Sequence, residues 1–67
     1  MEDAMFIKVT KAIGETPIYI NVNSIECIEQ DDDISIIMTN DNTLYYVKEA
    51  ADDIIRTIHY SNMVSVS

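Results

Sequence analysis

Hydrophobic and polar residues alternate with a period of two through most of the chain, then shift to a helical period near its C-terminal end. Phe6 to Ala12 sets Ile7 and Val9 against Phe6, Lys8 and Thr10, which predicts a first strand. Ile13-Gly14-Glu15-Thr16 predicts a turn, with the only glycine where a positive φ is needed. Pro17 to Val22 sets Ile18, Ile20 and Val22 against Tyr19 and Asn21, and Pro17 opens the strand where no ladder donor is lost. Asn21-Val22-Asn23-Ser24 favours local side-chain-to-backbone turns. Ile25 to Gln30 breaks the alternation, because Ile25 and Ile28 are three apart. Either Ile25 closes the turn inward or the strand bulges near Glu26.

Asp31-Asp32-Asp33 reads as a solvated turn and Ile34 to Thr39 as the most apolar strand. Asn40-Asp41-Asn42 is a hairpin turn of residues that tolerate the left-handed region. Thr43 to Val47, rich in β-formers, is the fifth strand. Ala51, Ile54, Ile55 and Ile58 then fall at i, i+3, i+4 and i+7, one stripe of a helix from about Glu49 to Tyr60. Glu49, Asp52 and Asp53 sit in its first turns, where the helix dipole favours negative charge. Ser61-Asn62 is expected to end it, leaving Met63 to Ser67 as a sixth strand or a frayed tail.

These elements predict one α+β domain over residues 1–67: a β-rich, strongly bent antiparallel sheet of about five strands with one C-terminal helix. Its ordered core is expected at about residues 5–60, with 1–4 and 61–67 flexible. The core expected from parity is Ile7, Val9, Ile18, Ile20, Ile28, Ile36, Met38, Val47, Ile54, Ile55 and Ile58.

Charge narrows the function. Lys and Arg number 4 against 12 Asp and Glu, a net charge of -8. Non-specific binding to nucleic acid or to an anionic membrane needs clustered positive charge, so neither is expected. No apolar run is long enough to span a bilayer, and Met1-Glu2-Asp3-Ala4-Met5 lacks the basic start of a signal peptide, so a cytoplasmic location is expected. One cysteine, Cys27, and one histidine, His59, cannot form an internal disulfide or a structural zinc site. Asp31-Asp32-Asp33 lacks the spacing and glycine of a calcium loop. His59 reads as a helix-end or interface residue and Cys27 as a packed thiol. Tyr19, Tyr45, Tyr46 and Tyr60 have no basic groove beside them, so they read as packing or interface aromatics. No cofactor, metal or catalytic constellation is expected, and no enzymatic activity.

The order Phe6-Ile7-Lys8-Val9-Thr10, Gly14-Glu15, Ile18-Tyr19-Ile20-Asn21, Ile25-Glu26-Cys27-Ile28-Glu29, Val47-Lys48-Glu49 and Asp52-Asp53-Ile54-Ile55 resembles the FlbD, or SwrD, family of small flagellar proteins over residues 5–58. The resemblance implies a non-enzymatic role tied to flagella and swarming, with no catalytic residues to carry over. Ile25-Glu26-Cys27-Ile28-Glu29 before a hairpin is also similar to the LytTR DNA-binding domain, and Ala12-Ile13-Gly14-Glu15-Thr16 to the start of CsrA-type RNA regulators. Two functions are therefore expected in order: a protein-interaction or regulatory module with an unidentified protein partner, and a nucleic-acid-binding regulator as the alternative.

Several strands are apolar on both faces, whereas one helix covers one face of a sheet. Phe6, Tyr19 and Ile37 have the parity opposite to the expected core and, with Tyr45, are the candidate interface. A chain this short has a marginal core, so burial of that face in a homo-oligomer, in the simplest case a two-fold dimer, is expected.

Overall fold

The computed structural model describes residues 5–66, with side chains up to Tyr60. Five strands precede one helix: β1 (Phe6–Thr10), β2 (Pro17–Asn21), β3 (Ile25–Asp31), β4 (Ile34–Thr39), β5 (Leu44–Val47) and α1 (Ala51–Val66). A short 3-10 turn, Val22–Ser24, joins β2 to β3, and the Asn21 side chain accepts the Asn23 N–H at its start at 2.9 Å. The architecture is the β-rich one expected, with the strands divided between a β1-β2 hairpin and a β3-β4-β5 meander, both antiparallel.

The two sheets join at one corner. Lys11 forms a bridge with Val47, the Ala12 N–H donates to Tyr46 O at 2.8 Å, and the Lys48 N–H donates to Thr10 O at 2.9 Å. The bridge sets the end of the β1-β2 hairpin against the end of β5, and the two sheets bend about this corner with the core on the concave side between them. Ile7, Val9 and Ile20 of the hairpin meet Ile37 and Val47 of the meander there, and Ile54 of α1 covers them.

The turns follow from their residues. Gly14 and Glu15 (φ 87 and 55), Asp32 (φ 54) and Asn42 (φ 68) adopt the left-handed region, each in a turn between strands. Asp31 pairs with Ile34, so Asp31 belongs to β3 and the turn is only Asp32-Asp33. The register slips between Ile25 and Cys27, which is a bulge at Glu26. The bulge lets both Ile25, opposite Thr39, and Ile28, opposite Ile37, pack on the core.

Parity on β4 is the reverse of the expectation. Ser35, Ile37 and Thr39 face the core, while Ile34, Ile36 and Met38 are half-buried on the other face. Hydrogen bonding decides this. Ser35 Oγ donates to Glu49 O at 2.6 Å, and Thr39 Oγ1 donates to the Asp41 carboxylate. With both hydroxyls satisfied, the penalty for burying them disappears and Ile37 takes the centre. Ile36 and Met38 are thereby displaced from the expected core.

α1 also differs. It starts at Ala51, not Glu49, and continues through Ser61-Asn62 to Val66, so 63–66 is helix rather than a sixth strand. Ala51 and Ile54 are buried and Ile58 packs against the core, but Ile55 is 52% exposed. The covered stripe is i, i+3, i+7, and Ile55 falls beside it. Residues 1–4 and 67, expected to be flexible, lie outside the described residues. No helix among the described residues is long and apolar enough to cross a membrane.

Candidate interaction surface

The residues expected to form one interface are separated by the fold. Phe6 and Tyr19 lie on the outer face of the β1-β2 hairpin, exposed, where Lys8 stands opposite Tyr19. Ile37 is fully buried and Tyr45 packs against the core from β5. Both are on the concave side because β4 carries its hydroxyls inward, and β5 follows the register of β4.

The apolar surplus lies instead on the convex face of the meander. Met38 stands between Cys27 and Leu44, and Ile36 between Glu29 and Tyr46, while Ile34 faces Asp31. Residues directly opposite on one sheet face touch, so these side chains form one continuous surface. Leu44 and Tyr46 are 46% and 47% exposed, so no element among the described residues covers them. The β3 border of this face is acidic, with Glu29 and Asp31 leading into Asp32-Asp33.

At the opposite border a cleft of about 420 Å³ straddles the edge of β5, lined by Leu44 and Tyr46 of the convex face, by Ile18 and Tyr45 of the core side, and by Lys11 and Ile13. Ile13, 85% exposed, stands on its rim. The loop that carries Ile13 is held firmly. Its backbone takes the left-handed region at Gly14 and Glu15, and the Lys11 N–H donates to Thr16 O at 2.9 Å. Lys48 Nζ also lies 2.9 Å from Glu15 Oε2, and its hydrogen bond and positive charge hold the Glu15 carboxyl below its usual range.

Polar side chains tie the ends of β1 and β3 to the start of α1. Glu49 Oε1 accepts the Thr10 N–H at 2.9 Å, and Glu49 Oε2 accepts Thr10 Oγ1–H at 3.0 Å. Gln30 Oε1 accepts the Ala51 N–H at 2.8 Å, while Gln30 Nε2 donates to Asp32 O and Ile34 O at 2.8 and 2.9 Å. Among the described residues no buried side-chain polar atom lacks a partner.

His59 is exposed on α1, and Cys27 is a half-buried free thiol on the convex face. Among the described residues no three His, Cys, Asp or Glu side chains converge as a metal site would require. Ile13 and Leu44 were not singled out in the sequence, and Tyr46 only as one of four packing or interface tyrosines. The exposed isoleucine beside the only glycine, together with the two-faced apolarity of β5, was the signal available for them.

The sequence model of the FlbD family, described as flagellar and swarming motility proteins, matches residues 6–64. No curated protein and no solved structure matches the chain.

Proposed function

Since the chain belongs to the FlbD family of flagellar and swarming motility proteins, we propose that it acts there as a non-catalytic protein-interaction module whose working surface is the convex face of β3-β4-β5. The observation that carries this reading is the continuity of Ile36, Met38, Leu44 and Tyr46 on a sheet face that no element among the described residues covers. A contiguous apolar patch bordered by charge is the usual mark of a protein interface. Its members sit on strands, so they reach a partner without reordering of their backbone.

Replacement of the resident gene by an Ile36→Thr, Tyr46→Thr variant tests the reading. Threonine keeps the β-forming backbone preference and removes apolar surface. Provided its circular dichroism and melting match those of the unaltered protein, the variant is expected to abolish swarming. Normal swarming from a folded variant contradicts the reading.

A further inference from the structure

We propose that the convex face binds an amphipathic helix of a partner protein, with lysine or arginine flanking its apolar stripe and one bulky apolar side chain set into the cleft beside Ile13. This rests on the reading of the convex face as an interaction surface and names what covers it.

Shape points to a helix. A sheet face is covered by a helix or by another sheet. Three strands span two spacings of about 4.8 Å, roughly 10 Å, which one helix of about 10–12 Å diameter covers. β4, at 6 residues, runs about 20 Å, or roughly four helical turns.

Charge points to a basic helix. The apolar centre is bordered by Glu29 and Asp31, with Asp32-Asp33 at one end and Asp41 at the other. The chain as a whole carries -8. A second copy laid on this face brings a like charge of the same size against it, whereas a lysine-flanked helix is drawn to the acids along β3 and at the two turns, with its apolar anchor on the β5 side, where Lys11 lines the cleft.

The cleft supplies the anchor point. Ile13 and Tyr46 line it from opposite elements, with Ile18 and Tyr45 among its lining residues. Its volume of about 420 Å³ accommodates one aromatic side chain. Tyr46 on its wall is of the residue type enriched among energetic centres of interfaces. Ile13 has no packing role in the fold at 85% exposure, so it can be changed without loss of the core.

The test uses two synthetic peptides of about 16 residues, each with the same leucine stripe and one central tryptophan, flanked by lysine in one and by glutamate in the other. Amide chemical shifts of the full chain are followed during titration. The lysine peptide is expected to shift Ile13, Ile36, Leu44 and Tyr46, with binding that weakens as salt rises. Ile13→Ser is expected to weaken it roughly tenfold and Ile36→Thr with Tyr46→Thr to abolish it.

Equal binding of the lysine peptide to the variants identifies attraction by net charge alone and overturns the proposal. So does stronger binding of the glutamate peptide, or a dimer mass by light scattering with the convex face protected. Failure of both peptides while the double variant still abolishes swarming overturns the helix and leaves the interaction reading standing. Normal swarming from that folded variant overturns the interaction reading itself.

Discussion

Gln30 and Ala51 are 21 positions apart, and the Gln30 side-chain oxygen accepts the Ala51 N–H at 2.8 Å. The carbonyl of Ala50 accepts the Ile54 N–H, so Ala50 holds the N-cap position of α1 without a side-chain oxygen to offer. A glutamine on β3 supplies the acceptor from across the sheet. The same amide group donates to Asp32 O and Ile34 O, so one side chain ties the helix start to the β3-β4 turn. Gln30→Ala is expected to cost about 1–2 kcal/mol, near the loss of a helix cap plus turn bonds. Gln30→Glu keeps the acceptor but turns a carboxylate oxygen toward the carbonyls of Asp32 and Ile34, so its cost should be no smaller. Urea unfolding of the two variants checks the order.

Glu49 is the second long-range tie. Its carboxylate accepts from both the N–H and the hydroxyl of Thr10, and its carbonyl accepts from Ser35. Glu49→Ala leaves the Thr10 groups unpaired in a part-buried site and is expected to cost about 1–3 kcal/mol. Ser35→Ala removes a buried hydroxyl and leaves the Glu49 carbonyl without that donor, at about 1 kcal/mol. Because the two variants share one network, the cost of the double variant should fall short of the sum, which a double-mutant cycle measures.

Ile37→Ala and Ile55→Ala should behave oppositely despite their like chemistry. Ile37 is 0% exposed and Ile55 is 52% exposed. Truncation of Ile37 is expected to cost about 2–5 kcal/mol, a large share of the stability of so small a domain. Ile55→Ala is expected to stay within about 0.5 kcal/mol, helped by the helix preference for alanine. Thermal melts of the pair decide it, and a reversal would show that α1 is turned on its axis.

Asp41 and Glu15 should titrate below ordinary carboxylates. Hydrogen bonds from Thr39 and Thr43 hold Asp41 down, and the Lys48 ammonium holds Glu15 down. A carboxylate lowered in the folded state contributes stability that is present above its unfolded pKa and is lost as pH falls through its folded pKa. Both contributions are therefore intact at neutral pH and fade on acidification below the ordinary carboxylate range. Carboxyl-carbon NMR titration is expected to find both midpoints low. Lys48→Ala should return Glu15 to its ordinary range and leave Asp41 unmoved.

Much of the fold was legible in the sequence because strands and turns are set locally. The alternation in β1 and β2, the break at Ile25 and Ile28, and the left-handed residue at Asn42 each carry their own signal. The inward face of β4 carries none. Ile34, Ile36 and Met38 outvote Ser35, Ile37 and Thr39 in hydrophobicity, yet Ser35 turns inward to a carbonyl 14 positions away. That partner is defined only once β5 and the Lys48-Glu49 corner are in place. The candidate surface inherited the same inversion at Ile37, which moved to the core while Ile36 moved to the convex face; Tyr45 lies on the core side for a reason legible in the sequence, because it shares the face of Val47. Likewise the i, i+3, i+4, i+7 rule admits Ile55, but the neighbours of α1 cover a narrower stripe.

The proposed interaction requires the convex face of β4 to be apolar and open to water. Methyl-resolved NMR with a soluble gadolinium chelate measures this directly. The methyl groups of Ile36, Met38 and Leu44 should relax strongly, with those of Ile37 and Val9 untouched. Relaxation of Ile37 with protection of Ile36 and Met38 would contradict it, because the face assigned to a partner would then be the core.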